Sequence, residues 1–322
     1  MYFWLILGLA VLVVGGEFLV RGAVGIAKKA HISSLVIGMT VISFGTSAPE
    51  LFVSIGAAMD GNPEISIGNV IGSNIANIAL VLGLTVLIFP IIVDRNSKII
   101  DWPVMMGASL LFFLFAYDLE IAIWEGAVLF GILCVFTFML IRGSRKKSKK
   151  AIAEIANETT GEDEDDDIGK VKDKVGISIV FTLFGLVALY FGAEWLIKGA
   201  VGIAESFGME KRIIGLTVVA FGTSVPELVT SSVAALKKET DISSGNLIGS
   251  NIFNIMAVIG ITAMVKPIPV QEKAVSFDMI WMLAISFGLI LLMLIGKKLN
   301  RFKGALLLAT YIVYITIVVM YP

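Results

Sequence analysis

The chain of 322 residues is strongly apolar, with 57% hydrophobic and only 16% charged residues and a mean hydropathy of +0.93. This composition excludes an ordinary soluble domain, and the apolar segments of about 18–25 residues are long enough to cross a bilayer. The net charge of −1 is uninformative, because the orientation of a membrane protein depends on where its charges lie along the chain. With one cysteine and one histidine, Cys134 and His31, the sequence excludes an internal disulfide and a thiolate or multi-histidine metal site.

Hydropathy predicts an all-α polytopic membrane protein with ten transmembrane helices. The N-terminal segment lacks a basic region and a small-residue cleavage site, so it is predicted to be the first span rather than a signal peptide. The predicted spans are residues 2–26, 33–59, 65–89, 100–117, 120–141, 175–198, 212–236, 242–265, 275–296 and 303–321.

A polar stretch, residues 142–174, separates the fifth and sixth spans and is predicted to be a disordered linker. It begins with a basic cluster and continues through the acidic run Glu162 to Asp167, for which a regulatory Ca²⁺ sensor is the alternative to a solvated linker. The basic cluster predicts a cytoplasmic linker. Alternation of the spans then places twenty of the 25 Lys and Arg residues inside and both termini outside, in the plasma (inner) membrane of a prokaryote.

The two halves of the chain repeat each other. A shift of 177 residues aligns residues 15–93 with the second half without a gap, and about half of the aligned positions are identical. Because five spans is an odd number, the second copy must enter the membrane from the opposite side. The sequence therefore predicts two inverted five-helix repeats, residues 1–141 and 175–322, joined by the linker 142–174.

Two motifs at equivalent positions, GTSAPE at 45–50 and GTSVPE at 222–227, interrupt predicted spans. Each proline lacks the N–H that a continuous helix needs and also displaces the preceding residue from helical geometry. Carbonyls from about Ser43 to Thr46 are therefore expected to lose their helical partners and to face protein or a water-filled cavity, where they could bind a hard cation. The residues predicted to break the two helices are Gly45, Pro49, Gly222 and Pro226.

Each motif also ends in a carboxylate, Glu50 or Glu227, at membrane depth, where an ionisable group is by default a functional hypothesis. Two adjacent carboxylates would repel unless they were protonated or bridged by a cation, and Ca²⁺ accepts six to eight oxygen ligands. A single motif could be only a kink with an acid paired to a base. Two motifs of opposed topology, without a basic residue at the same depth, favour a cation site.

A second pair of motifs, GNVIGSN at 68–74 and GNLIGSN at 245–251, combines small residues with amides and hydroxyls. The glycine spacing allows close helix contact. Asn69, Ser73 and Asn77 follow one helix face, as do their equivalents Asn246, Ser250 and Asn254. The hydroxyls and the last asparagine of each set are predicted to be ligands, whereas Asn69 and Asn246 are open between ligand support and interhelical hydrogen bonding.

At these motifs the chain resembles the sodium/calcium exchanger family of the cation/calcium antiporter superfamily, in its prokaryotic, potassium-independent form. The resemblance implies electrogenic exchange of three Na⁺ for one Ca²⁺ by alternating access, without a cofactor or enzymatic activity. It also implies that spans 1 and 6 slide past a core of spans 2, 3, 7 and 8. By resemblance, the ion ligands are Glu50, Glu227, Thr46 and Thr223 for Ca²⁺, and Ser43, Ser47, Ser73, Asn77, Ala220, Ser224, Ser250 and Asn254 for Na⁺ or for both ions.

Asn254 departs from some family members, including the potassium-dependent branch, which carry Asp at this position. The asparagine removes one charge, argues against potassium cotransport and leaves the stoichiometry open. A proton-coupled exchanger of Ca²⁺ or another divalent cation is the first alternative function, and a passive cation channel is the second. The expected partners are the lipid bilayer and the two ions, without nucleic acid; the oligomeric state is open and a monomer is compatible with the sequence.

Two acid–base pairs on the first and sixth spans have helical i, i+4 spacing: Glu17 with Arg21, and Glu194 with Lys198. The expected role is an ion pair at the end of a helix. Because these two spans are the proposed moving helices, a role in gating is the alternative.

Overall fold

The computed structural model describes residues 1–158, 168–207 and 220–320. In the first half, the described helices are α1 (Tyr2–Ala30), α2 (Ser34–Thr46), α3 (Ala48–Met59), α4 (Pro63–Ile88), α5 (Ser97–Asp118) and α6 (Ile123–Glu158). In the second half they are α7 (Ile168–Ser206), α8 (Ala220–Thr223), α9 (Val225–Leu236), α10 (Thr240–Val265), α11 (Ala274–Leu294) and α12 (Arg301–Met320).

Among the described residues, eight helices are long and apolar enough to span a membrane, and the bent pair α2–α3 makes a ninth candidate. The fold is thus helical and polytopic, as predicted. The seventh predicted span, 212–236, is described only from Ala220 onward, where α8 and α9 lie. Ten spans therefore stay a prediction.

The structure differs from the prediction in residues 142–174, which were expected to form a disordered linker but are mostly helical. Helix α6 continues without a break to Glu158, and α7 already begins at Ile168. The prediction of disorder is therefore wrong for the described part of this stretch. Residues 142–158 are mostly Lys, Arg, Ala and Glu, which favour helix, so the helix can continue beyond the apolar span. The acidic run Glu162 to Asp167 lies outside the described residues.

Two short antiparallel ribbons join the halves of the chain. Strand β1 (Ile91–Ile92), after α4, pairs with β4 (Lys298–Leu299), before α12. Strand β2 (Glu120–Ile121), before α6, pairs with β3 (Ile268–Pro269), after α10. Each ribbon therefore uses one strand from each half. One ribbon joins the end of α4 to the beginning of α12, and the other joins the end of α10 to the beginning of α6.

Helices α1 and α7 pack against each other with their backbones in contact. A Cβ atom added at Gly15 would lie 2.9 Å from the backbone nitrogen of Leu189, and one added at Gly192 would lie 2.9 Å from that of Leu12. The glycines repeat every seven residues along both helices, which keeps them on the shared face over about 14 residues. The antiparallel contact includes Gly8, Gly15 and Gly22 on α1, and Gly185, Gly192 and Gly199 on α7.

The apolar core is divided into two clusters. The larger cluster joins α4 and α10 to the helices α5, α11 and α12, and contains residues such as Ile75 and Ile252. The smaller cluster joins α1 and α7 to α2 and α9 through residues such as Leu19, Leu189 and Ile42. Helices α4 and α10 are the most buried of the span-length helices, which places them at the centre of the molecule.

Candidate cation site

The chain bends at the first motif. Helices α2 and α3 are inclined by 41° at Ser47, whose φ and ψ of −87° and 3° interrupt the helical series. Ser224 has almost the same conformation in the second motif, with φ and ψ of −88° and 0°. In each copy a proline follows within the first turn of the next helix, where its missing N–H is tolerated. The helical backbone is thus interrupted within each motif, at Ser47 and at Ser224.

The carbonyl of Ser43 is not freed by this bend, contrary to expectation. It accepts a hydrogen bond of 2.9 Å from the backbone N–H of Ser47 and a longer one of 3.4 Å from the Thr46 hydroxyl. The reason is geometric: the chain leaves helical conformation at Ser47, so the preceding turn stays closed. The carbonyl of Gly45 is the one that would require an N–H from Pro49, and proline has none.

Glu50 and Glu227 are both fully buried, at 0% exposure, next to the two bends. Neither oxygen of the Glu50 carboxylate has a hydrogen-bond partner within the described part of the chain, and Oε2 of Glu227 also lacks one there. The two carboxylates lie close enough to interact electrostatically. An unpaired buried carboxylate is unfavourable, and two together are more so, unless a cation or protons compensate the charge.

Hydroxyl groups from both halves surround the Glu227 carboxylate. Ser47 donates a hydrogen bond of 3.4 Å to its Oε1, and the hydroxyls of Thr46 and Ser250 also lie beside it. Thr46 and Ser250 are themselves 3.4 Å apart between hydroxyl oxygens. Residues of the first motif therefore contact Glu227, the acid of the second motif.

Two asparagines complete the buried polar cluster. Asn77 and Asn254 are 0% exposed, and no side-chain nitrogen or oxygen of either residue has a partner in the described structure. Both lie in π-helical segments, Ala76–Leu82 and Asn254–Ile259, which interrupt α4 and α10. A π-helical turn changes the direction of side chains relative to an α-helix and is frequent at functional sites. The sequence analysis did not identify these segments.

The structure brings most of the predicted ligands into this buried region. Ser73 and Ser224 are buried with unpartnered hydroxyls, and Thr223 is buried at the end of α8. Ser43 is buried too, but its hydroxyl donates to the carbonyls of Gly38 and Asn246 at 2.8 and 3.0 Å. Ala220 begins α8, and nothing is described of its side chain.

Asn69 and Asn246 make interhelical hydrogen bonds. Asn69 Nδ2 donates to the Glu50 carbonyl at 3.2 Å and to the Ser54 hydroxyl at 3.0 Å. Asn246 Nδ2 donates to the Ser231 hydroxyl at 3.0 Å, which is the equivalent contact in the second copy. Ser54 and Ser231 were missed by the sequence analysis, although the 177-residue shift relates them and both lie one helical turn beyond a motif acid.

The two acid–base pairs on α1 and α7 behave differently. Glu17 and Arg21 form the predicted ion pair at 2.6 Å, and Lys237 joins the same carboxylate oxygen at 2.6 Å. Glu194 and Lys198 form no ion pair in the described structure, so that prediction is wrong. The ammonium of Lys198 instead lies 4.7 Å from the centre of the Trp4 ring, where a cation–π contact is favourable.

Chemically, the region offers two carboxylates and many neutral oxygens. Within the described residues, no group of three or more His, Cys, Asp or Glu side chains could hold a metal ion. A transition-metal cage is thus absent from that part of the chain, whereas hard cations accept carboxylate, hydroxyl, amide and carbonyl oxygens. The unpartnered side-chain atoms of the site are Glu50 Oε1 and Oε2, Glu227 Oε2, Ser73 Oγ, Ser224 Oγ, and Nδ2 and Oδ1 of Asn77 and Asn254.

Comparison with known proteins agrees with this geometry. Residues 1–142 and 177–320 match the family described as sodium/calcium exchanger protein. The chain is 35% identical to the putative antiporter CaxA of Alkalimonas amylolytica, covering 97% of the chain and 96% of that protein. It is 32% identical to the sodium/calcium exchanger MaX1 of Methanosarcina acetivorans, covering 97% of each.

Among solved structures, the chain matches the sodium-calcium exchanger NCX_Mj soaked with 10 mM Na⁺ and zero Ca²⁺. The TM-score is 0.82 with 32% sequence identity, and 97% of each chain is covered. Both the sequence and the arrangement of helices are therefore shared over almost the whole length. The chain belongs to the sodium/calcium exchanger family, whose members are membrane cation antiporters rather than enzymes.

Proposed function

We propose that the protein exchanges Na⁺ for Ca²⁺ by alternating access, with both ions competing for the buried cluster around Glu50 and Glu227. The observation that carries this proposal is the set of unpartnered oxygens in that cluster, contributed by both halves of the chain. Buried polar atoms are normally hydrogen-bonded, so a concentration of exceptions indicates a missing ligand. The names of MaX1 and NCX_Mj, both sodium/calcium exchangers, give the same pair of substrates for two relatives.

The proposed ligands have distinct roles. The Glu50 and Glu227 carboxylates and the Thr46 and Thr223 carbonyls would bind Ca²⁺, because a divalent ion gains most from charged ligands. Neutral oxygens would serve Na⁺ or both ions. The residues proposed for this second role are Ser43, Ser47, Ser73, Asn77, Ala220, Ser224, Ser250 and Asn254.

Alternating access would follow from two inverted repeats, with residues 142–174 on the cytoplasmic side and both termini outside. The reciprocal strand ribbons and the antiparallel contact of α1 with α7 support the inversion of the two repeats. The close glycine face would let α1 and α7 move as one unit along the remaining helices. Exchange of three Na⁺ for one Ca²⁺ would move one net charge in each cycle.

The decisive experiment measures ⁴⁵Ca²⁺ uptake into proteoliposomes loaded with Na⁺. We expect uptake to require the outward Na⁺ gradient and to accelerate when the interior is held positive, because three charges would leave for every two that enter. A pH gradient alone should not drive uptake. Uptake driven by the pH gradient would support the proton-coupled alternative, and flux without any countertransported ion would support a channel.

Substitution of the two acids tests the site itself. Glu50→Gln and Glu227→Gln should each reduce Na⁺-driven uptake by more than about a hundredfold. Each carboxylate would form a buried pair of opposite charges with Ca²⁺, and removing one member of such a pair costs roughly 3–5 kcal/mol. Glu64→Gln is the matched control, because Glu64 is an exposed glutamate in the first turn of the neighbouring helix α4. If either buried substitution transported as well as the control, the carboxylate pair would not be the site.

A further inference from the structure

A cavity of about 1080 Å³ lies away from the buried cluster, between the beginning of α2 and the helices α5 and α6. Its wall in the membrane is apolar and is formed mainly by side chains of α6, several of which are exposed, such as Val135 at 60% and Met139 at 65%. One end is polar and lies beside the basic cluster that follows the fifth span. The polar lining residues are Ser33, Asn96, Asp101, Ser144, Lys147 and Ser148.

The apolar wall is suited to a hydrocarbon chain. It is formed by membrane-spanning helices, and a dry apolar space open to a bilayer is filled by lipid rather than by water. The expected position of the polar end also fits a lipid, because Lys147 lies 24 residues along α6 from Ile123, or about 36 Å at 1.5 Å per residue. That distance is close to the thickness of a bilayer core plus one headgroup region.

Asp101 is a buried acid at the polar end of the cavity. The residue is 1% exposed and lines the cavity, and its Oδ2 atom has no hydrogen-bond partner in the described part of the chain. Asp94 lies near enough to add to the negative potential there. A buried carboxylate oxygen without a partner is costly, so a bound group that carries N–H donors and positive charge would be favoured there.

Lys147 supplies the opposite charge at the mouth of the same cavity. Its side chain is exposed, and no acidic side chain within the described residues forms an ion pair with it. Ser144 and Ser148 lie one helical turn apart on the same face of α6 and could donate hydrogen bonds to a phosphate. The cavity thus combines a site for a phosphate, a site for an ammonium group and a wall for an acyl chain.

We propose that this cavity binds one molecule of phosphatidylethanolamine from the leaflet beside the basic cluster, with its ammonium group on Asp101, its phosphate on Lys147 and an acyl chain along α6. The lipid would also contact the entry to α2. There the Ser33 N–H donates to the Ser144 hydroxyl at 2.8 Å, joining α2 to α6 at the edge of the cavity. Because α2 carries Thr46, occupancy would help to hold that helix in position.

Native mass spectrometry of the full-length protein in detergent tests the proposal without ion transport, so the result is independent of the proposed function. Delipidated protein is titrated with phosphatidylethanolamine, phosphatidylcholine or phosphatidylglycerol. We expect one tightly bound phosphatidylethanolamine, held about tenfold more strongly than phosphatidylcholine, whose trimethylammonium group has no N–H donor. Equal retention of all three lipids would mean a non-specific annular lipid only and would overturn the proposal.

Asp101→Asn should reduce the preference for phosphatidylethanolamine to about the level of phosphatidylcholine. The matched control is Asp278→Asn, because Asp278 is the partly buried acid 177 residues further on and its carboxylate already accepts a hydrogen bond of 3.0 Å from Tyr314. This control should leave lipid retention unchanged. If Asp101→Asn still preferred phosphatidylethanolamine, the carboxylate would not be the binding group for the ammonium. Stronger binding of phosphatidylglycerol would show that the polar end binds an anionic headgroup and would overturn the proposal.

A second pair of variants tests the cavity if Asp101→Asn fails to fold. Gly131 lines the cavity, and no heavy atom lies within 4 Å of the position of an added Cβ, so Gly131→Phe would fill the space without a backbone clash. Gly107→Phe is the control, on an exposed part of α5 outside the cavity lining. We expect Gly131→Phe alone to lose the bound lipid; retention in both variants would place the lipid elsewhere.

Discussion

Glu17 and Lys237 form an ion pair of 2.6 Å that joins α1 to the residue immediately after α9. The same carboxylate oxygen of Glu17 accepts from Arg21 at 2.6 Å. The pair has no equivalent in the other half of the chain, because the positions related by 177 residues are Glu194 and Asp60, which are both acidic. The ion pair between α1 and the end of α9 therefore has no counterpart between α7 and the end of α3, although the sequences of these helices repeat.

This asymmetry leads to a prediction for Lys237→Gln. In the proposed alternating-access cycle α1 has two positions, and removing the lysine should favour the one that differs from the structure, because one ion pair of the observed position is lost. The pair is about one-third exposed, so its contribution is at most about 1 kcal/mol and the ratio of the two states should shift by at most about fivefold. Faster hydrogen–deuterium exchange at the end of α1, together with an altered turnover rate, would report this shift.

Glu194→Gln is the control for that prediction. The acid occupies the equivalent position on α7, but Lys198 next to it contacts Trp4 instead. We expect normal exchange at the end of α1 and a normal rate of transport in this variant. An equal effect of Glu194→Gln and Lys237→Gln would show that the ion pair between Glu17 and Lys237 is not responsible.

The glycine face between α1 and α7 gives a second prediction. A methyl group at Gly15 or Gly192 would lie 2.9 Å from a backbone nitrogen of the opposite helix, so the helices must separate. Gly15→Ala and Gly192→Ala should therefore slow ion exchange severalfold, while Ca²⁺ binding to the buried cluster stays nearly normal. The comparison of maximal flux with equilibrium ⁴⁵Ca²⁺ binding separates the two effects.

Gly288→Ala is a suitable control for the glycine variants. Gly288 also lies within a membrane-spanning helix, α11, but no heavy atom is within 4 Å of the position of its added Cβ. This substitution should leave flux unchanged or stabilise the helix slightly, because alanine favours helix more than glycine does. If Gly15→Ala behaved in the same way, close contact between α1 and α7 would not be required for transport.

The sequence was sufficient for much of the fold and of the site because both leave strong patterns. Apolar segments of bilayer length predicted the helices, and the 177-residue repeat identified Glu50 and Glu227 as equivalent acids before any contact was known. Prolines placed the bends, since a missing N–H has a local consequence at Pro49 and Pro226. These features depend on composition and near neighbours in the chain.

Contacts between distant residues could not be predicted in this way. Lys237 was not identified as the partner of Glu17, and Lys198 was assigned to Glu194 although it lies over Trp4. Helical spacing predicts which side chains can meet within one helix, but the competition with other helices depends on how these pack. The π-helical turns at Asn77 and Asn254 were missed for a related reason, because no local sequence rule distinguishes them from α-helix.

The interhelical asparagines give a third prediction. Asn69 donates to both the Glu50 carbonyl and Ser54, so Asn69→Ala should leave a buried acceptor unpartnered and reduce the free energy of unfolding by about 1–3 kcal/mol. Asn246→Ala should have a similar cost, because Asn246 makes the equivalent contact with Ser231. Thermal unfolding in ion-free buffer measures this loss.

Asn300→Ala is the control for these variants. Asn300 accepts a hydrogen bond of 3.1 Å from the backbone N–H of Lys303 outside the buried cluster, at the beginning of α12. Loss of this cap should lower stability by about 1 kcal/mol without changing the apparent affinity for Ca²⁺. By contrast, Asn69→Ala should also weaken Ca²⁺ binding, because Glu50 would be less well positioned. Unchanged binding in Asn69→Ala would mean that the contact serves the fold alone.

Asn77 and Asn254 should respond in the opposite direction when they are replaced by leucine. Both amides are fully buried and unpartnered, so Asn77→Leu and Asn254→Leu remove polar groups whose desolvation is uncompensated in the absence of ions. We expect the ion-free protein to gain about 1–3 kcal/mol in its free energy of unfolding and to lose Na⁺-driven Ca²⁺ uptake. Stabilisation together with loss of function is expected where polar groups are retained for a ligand rather than for the fold. Thermal unfolding with and without Ca²⁺, followed by flux in the same preparations, tests both parts. Destabilisation of the ion-free protein would instead show that the two amides contribute to packing, and the proposed centre of the site would have to lie elsewhere.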